Sequence, residues 1–393
     1  MKPPLFLIFI LLASLGCKEK YVSPVVSPAT GYLVVEGVVN AGGGETNIYL
    51  SRTSPLEMRL KNYETGATVS IMGEDNSSYR LNELDSGHYQ IAHLSLKKNV
   101  RYKVAIKTML GVAYQSDYCS IQTTPVIDSV NWQVENNGIQ SGGVQIYVNA
   151  HDNTNATQYY QWDYTETYEY NSPWKVFFKF VQINQGPTPL FDVNRINFNN
   201  RGEYDTSSYR CWPTVNSSSI LIGTTDKLNE NKIHLPLIYI TENSERLAIL
   251  YSILVRQYSL SNGKYSYLDK MKKNTELTGS IMDPQPSELK GNIHNINNPS
   301  EPVVGYIDFS EIQEIRTFIK NQDIPNWKFE SPCLRVDVPN RIDTITKAKI
   351  TYWVTGIHIP GIQEPISYWF TYPDCADCKF HGTNVKPSFW PTP

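Results

Sequence analysis

The 393-residue chain is short of several things at once. It carries 7 histidines, and no two of them form HExxH or an i, i+4 pair, so helix-borne zinc hydrolysis has no footing. Neither GxSxG nor GxxxxGK[ST] occurs, which removes the nucleophile elbow and the phosphate loop. Positive charge is not in excess: 35 Lys and Arg stand against 38 Asp and Glu, for a formal net charge of -3. The longest basic cluster is Lys270-Met271-Lys272-Lys273. A protein that tracks phosphates needs a basic stripe, so no nucleic-acid partner is expected. No apolar run reaches the roughly 20 residues that a spanning helix requires.

What is present begins at the first residues. Met1 and Lys2 precede the apolar run Leu5 to Ala13, then Ser14, Leu15 and Gly16, then Cys17 and the charged Lys18-Glu19-Lys20. A charged start, a short apolar stretch and small residues make a secretory signal. A small residue directly before a cysteine at its end resembles the bacterial lipobox, with Ser14 standing where Leu is usual. In that reading the signal covers residues 1–16 and Cys17 carries a covalent lipid, the one added group expected. Two or three acyl chains anchor stably, because each buried methylene contributes about 0.8 kcal/mol. The competing reading, a plain signal with Cys17 left as a disulfide cysteine, fits poorly with the abrupt end of the apolar run. Residues 17–30, with two prolines and no helical period, read as a tether.

Beyond the tether, short β-branched and aromatic runs alternate with Gly, Asn and Asp turns, as at Gly42-Gly43-Gly44 and Asp85-Ser86-Gly87. The chain therefore reads as mostly β: an N-terminal Ig-like or transthyretin-like β-sandwich over 31–122, a connector at 123–129, and a larger all-β domain over 130–393 with one short helix. That helix is expected from Ser261 to Glu276, capped by Ser261 or Asn262. Residues 247–258 are apolar on both faces and should form a central strand. In 159–170 the even positions are Tyr160, Trp162, Tyr164, Glu166, Tyr168 and Tyr170, and the odd ones from Gln161 to Glu169 are polar. A strand puts these sets on opposite faces. The aromatic set is the candidate binding surface, for sugar rings or a partner protein, against the alternative that it lies in the core. Glu166 in its midst suggests a wet face.

With Cys17 lipidated, five thiols remain, and an exported protein pairs its thiols. Cys211, Cys333, Cys375 and Cys378 are the disulfide candidates, stapling the tail, and Cys119 is the candidate for a free thiol. Cys375-Ala376-Asp377-Cys378 with His381 has metal-ligand spacing, but the compartment favours disulfides over a metal. Glu166 and Glu169 face opposite ways and cannot act as a glycosidase pair. Asp152-Asn153-Thr154-Asn155 lacks the glycine and glutamate of a calcium loop and reads as a turn. No catalytic residue or metal ligand is assigned.

Several segments together resemble one family: Cys211-Trp212-Pro213, Ser218 to Gly223, Val255-Arg256-Gln257-Tyr258, Asp283-Pro284-Gln285-Pro286-Ser287, Gly291-Asn292-Ile293-His294, Glu301 to Tyr306, and Gly382 to Trp390. It is the Bacteroidota surface lipoprotein family defined by domain of unknown function 4249, and the resemblance runs from Leu33 to Trp390. Relatives often carry a cysteine where this chain has Asn295, which would explain the odd thiol count. The resemblance implies a non-enzymatic protein lipid-anchored in the outer membrane and facing the extracellular side. It also implies an accessory or substrate-capturing subunit of a TonB-dependent receptor, with a nutrient as ligand. A surface glycan or peptide hydrolase and a structural or adhesive β-sandwich protein are the alternatives.

Overall fold

Strict alternation builds the first layer. In Leu33–Asn40 the side chains of Leu33, Val35 and Val39 are buried, and the strand pairs antiparallel with Thr46–Arg52 from Leu33 opposite Arg52 to Val38 opposite Asn47. In a computed structural model, residues 31–55, 61–135, 142–176, 178–195, 206–276, 289–349, 353–358 and 365–392 are described. The signal at 1–16, the tether at 17–30 with Cys17, and the Asp283-Pro284-Gln285-Pro286 loop lie outside them. The His88–Ile91 and Asn82–Asp85 strands extend this sheet on one side. A second sheet, in the order Ile293–Asn295, Ala113–Ser116, Tyr102–Lys107, Thr68–Gly73, Ser78–Arg80, packs over it. Ile48, Leu50, Val69, Ile71, Val104 and Ile106 fill the space between them.

This sandwich is not closed by residues 31–122 alone. The chain returns, and Ile293–Asn295, Val304–Gly305 and Phe309–Ser310 complete both sheets, the last two running parallel to Leu33–Asn40. Two glycines permit the return. Gly305 sits at φ +141°, where a Cβ would lie 2.2 Å from Val35 O, and a Cβ on Gly291 would lie 1.7 Å from Gly305 O. Asn292 locks the crossing, donating from Nδ2 to Ile307 O at 2.8 Å and accepting from Ile307 N at 2.9 Å. The connector is equally fixed. Thr124 Oγ1 accepts from Ser259 N at 2.9 Å, and Gln257 Nε2 donates to Pro125 O at 2.8 Å.

The remaining chain is also mostly β. A three-stranded sheet (Ile127–Glu135, Gly143–His151, Lys232–Thr241) packs on a five-stranded one. In the latter, Tyr159–Tyr168 and Leu250–Ser259 are central, flanked by Thr214–Asn216, Leu221–Thr224 and Gln313–Lys320. Helix α1 (Asn262–Thr275) forms as its sequence suggests: Ser261 Oγ accepts from Lys264 N at 3.2 Å, and Lys272 and Lys273 complement the dipole in the last turn. A second helix, α2 (Ile342–Ala348), was not expected. Its seven residues are too few to show a period, and it is held by burial of Ile345 and Ala348 against Val354 and Phe370. Among the described residues no helix is long and apolar enough to cross a membrane.

Candidate functional site

The even face of Tyr159–Tyr168 is the core of the second unit. Tyr160 is 0% exposed, Trp162 1%, Tyr164 7%, Tyr168 7%, and the following Tyr170 4%. A ligand cannot lie on side chains that the facing sheet already covers, which corrects the expectation of a binding stripe. Glu166 does not mark a wet face. It is buried and paired, accepting from Tyr251 OH at 2.8 Å and from Arg246 Nη1 at 3.2 Å. Desolvation, reinforced by the Glu166 charge, pushes the Tyr164 hydroxyl up to about 12. Glu169 is likewise taken up by Arg210, 2.8 Å from Nη2 to Oε2.

Cys211 is bonded to Cys378 and Cys333 to Cys375, so the two cysteines of the CxxC segment staple the tail to two different places. His381 stacks on Tyr170 at 4.1 Å, and its Nε2 lies 3.1 Å from Asp374 O. Cys119 is the free cysteine among the described residues. Its sulfur faces Asn292, with Nδ2 at 3.5 Å, whereas Asn295 is opposite Tyr114 and bonds to Glu301. Asn295 is therefore not the seat of a lost Cys119 partner. Asp152 closes a turn, accepting from the backbone of Thr154 at 2.9 Å and of Thr157 at 2.8 Å. Desolvation opposes its charge, but hydrogen bonds led by Thr154 outweigh that and hold the carboxyl down to about 2.

The odd, polar face of the aromatic strand opens onto a cleft of about 940 Å³ between the first sandwich and the five-stranded sheet. One wall is the hairpin that carries Asn40, Glu45, Asn47 and Tyr49; the other carries Gln161, Asp163, Arg256 and Glu314. Arg256 is the hub. Asp163, Arg256 and Glu314 stand in register on three adjacent strands. The guanidinium donates from Nη1 to Asp163 Oδ1 at 2.7 Å, from Nε to Glu314 Oε1 at 3.1 Å, and from Nη1 and Nη2 to Thr165 Oγ1 at 3.1 Å. Burial works against its charge, and the bond to Asp163 more than offsets that. Tyr258 OH donates to the other Asp163 oxygen. Across the cleft, Asn47 Nδ2 donates to Glu45 Oε1 at 2.7 Å, and Tyr49, 43% exposed, stacks on His88 at 4.5 Å. Gln161 Oε1 is buried in this wall with no hydrogen-bond partner among the described residues.

The chain matches the model of domain of unknown function 4249 (DUF4249) over residues 19–316. It belongs to that family. No curated protein matches it. Among solved structures, a Salmonella alpha-2-macroglobulin mutant is similar at 8% identity and a TM-score of 0.17, over 79% of this chain and 15% of that one. The chain thus spans about 15% of that protein's length, and a match at this score carries no argument.

Among the described residues, segments that carry the family resemblance have structural work in the fold. Gly291 to His294 and Glu301 to Tyr306 form the return into the first sandwich. Cys211-Trp212-Pro213 meets Gly382-Thr383, where Trp212 N donates to Thr383 O at 2.7 Å and a Cβ on Gly382 would lie 2.5 Å from Pro213 Cα. Val255 to Tyr258 does both: Gln257 ties the connector to the core, and Arg256 and Tyr258 line the cleft. Sequence reasoning passed over the cleft because its walls lie about 110 residues or more apart in the chain. The usable signal was the polar half of the alternation, Gln161, Asp163 and Thr165.

Proposed function

We propose that this DUF4249 protein is a lipid-anchored binding protein of the bacterial outer membrane, facing outward, whose inter-sheet cleft captures a hydroxyl-rich nutrient for a TonB-dependent receptor. The cleft carries the reading. Its walls present amides, carboxylates and a guanidinium side by side, so donors and acceptors alternate as vicinal hydroxyls require. The exposed Tyr49 ring supplies an apolar face for a sugar ring. The anchor is supported by the apolar leader and Gly16-Cys17, and the receptor partnership by the family resemblance alone.

Isothermal titration with a panel of neutral oligosaccharides tests the ligand class. Saturable binding that Tyr49→Ala and Arg256→Ala both abolish supports it; heat with peptides and none with sugars sinks it. Affinity purification of the tagged protein from its own outer membrane tests the partnership, and a stoichiometric TonB-dependent receptor is the expected companion. A hydrolase reading draws on Asp163 and Glu314 sharing the cleft. Both are engaged by Arg256, which leaves neither placed to hand a proton to a leaving group. Product release during the same titrations would reverse that judgement.

A further inference from the structure

Leu110 and Met109 are 84% and 73% exposed, the highest values among the large hydrophobic side chains described. They are adjacent, at the tip of the hairpin between Tyr102–Lys107 and Ala113–Ser116. The tip is held outward: Thr108 N donates to Val112 O and Gly111 N to Thr108 O, both at 2.9 Å, with Gly111 at φ +84°. Among the described residues no element covers Leu110, and Met109 touches only the edge at Gly66; exposed apolar pairs of this kind mark a contact surface.

The described chain begins at the same pole. Gly31 N donates to Thr53 O at 2.9 Å, and Arg52 Nη1 donates to Gly31 O at 3.0 Å and to Tyr114 OH at 3.5 Å, with Tyr114 three residues past Gly111. Met109 also neighbours Gly66, which donates to Glu83 beside the 57% exposed Leu84. Cys17 lies 14 residues before Gly31, and that length reaches at most about 50 Å when extended. A tether of that reach ties the body to a bilayer without orienting it.

We infer that the Met109–Leu110 tip dips into the lipid surface that holds Cys17 and stands the first sandwich on the pole where the chain enters. This rests on the lipid anchor in the proposed function. Charge is not what the tip offers: Thr108 to Val112 carries no charged side chain, and Arg52 at this pole is paired with Glu64, so the contact is apolar rather than electrostatic. From this pole Leu33–Asn40 runs eight residues, about 25 Å, to the turn that borders the cleft. The tip thereby turns the cleft away from the membrane.

The test uses the full-length lipidated protein in vesicles of neutral and of anionic lipid, with a polarity-sensitive dye on Leu110→Cys and, as control, on Val385→Cys in the 69% exposed tail. Burial pushes the Cys119 thiol up to about 12, which slows its labelling, and dye on the parent protein sets the background. The expected result is blue-shifted emission at position 110, quenched by spin-labelled lipid equally in both vesicle types, with neither effect at 385. In addition, Met109→Ser should lower the quenched fraction of the dye at position 110 about tenfold. Protein that floats with vesicles while the dye at 110 stays water-like overturns the inference and leaves the anchor standing. Protein that does not float overturns the anchor as well. A blue shift found only in native membranes, without lipid quenching, assigns the tip to a protein partner and also overturns the inference.

Discussion

Trp162 donates its indole N–H to Gln257 Oε1 at 2.9 Å, from one central strand to the next, with both side chains fully buried. The other end of the same amide donates to Pro125 O in the connector. One glutamine thus satisfies the only polar atom of the largest core side chain and ties the two halves of the molecule to a common point.

Trp162→Ala should cost about 3–5 kcal/mol, the range for emptying a large aromatic site, and leaves Gln257 Oε1 bare as well. Urea unfolding reads the loss directly. An unchanged midpoint would mean that the even face of the strand is not core.

The two disulfides should differ in weight. The Cys211–Cys378 pair spans a separation of 167 residues and Cys333–Cys375 one of 42. Loop closure in the unfolded chain then favours the first, about 5 against about 4 kcal/mol. Paired Cys→Ala variants, compared by denaturant midpoint, should rank in that order. A reversed ranking would show that native contacts near Cys333, rather than unfolded-state entropy, dominate.

Asp152→Ala should cost about 1–3 kcal/mol at neutral pH, because four hydrogen bonds from Thr154, Ala156 and Thr157 lose their acceptor near the same turn. The carboxyl titrates at about 2 in the folded chain, below its unfolded value of roughly 3.9. Its stabilisation is therefore full above pH 4 and is lost as pH falls toward 2. The variant should show a flatter acid limb than the parent in thermal melts between pH 4 and 2.

Lys264 supplies the opposite sign. It is buried on α1 with its ammonium donating to Tyr306 O, and desolvation lowers it to about 8. Between pH 8 and 10.5 the unfolded chain holds a proton that the folded chain has released, so this group makes stability rise with pH. The rise from pH 8 to 9.5 should be about 1.5 kcal/mol and should vanish in Lys264→Met. A parent and variant with parallel profiles would place the ammonium in water.

The strands, their two-faced alternation, the α1 cap and the identity of the four bridged cysteines were legible because each is local: a period, a capping residue, an excess of thiols in a chain with an apolar leader. What failed was long-range. Nothing in residues 31–122 announces that Gly291 and Gly305 will bring a second segment across the sandwich, since the reason is a close backbone approach visible only in three dimensions. The aromatic stripe misled for a related reason. Period 2 separates two faces without saying which is covered, and Glu166 looked like a sign of water until Arg246 and Tyr251 were placed beside it.

Arg256 decides whether the cleft is the site. Its fork meets Asp163, Thr165 and Glu314 on three strands, with the side chain 27% exposed. Arg256→Ala removes the guanidinium that bridges two carboxylates and should cost about 1–2 kcal/mol. Arg256→Lys keeps the charge but loses the planar fork, so stability should stay within about 1 kcal/mol of the parent. Oligosaccharide affinity should fall at least about tenfold in both, because a hydroxyl pair is read by the geometry of the fork and not by its charge. That split, binding lost in both variants and stability lost mainly in one, is what a ligand-reading residue gives. Affinity that tracks stability would make Arg256 a structural strut; affinity unchanged in both variants would move the binding site out of the cleft.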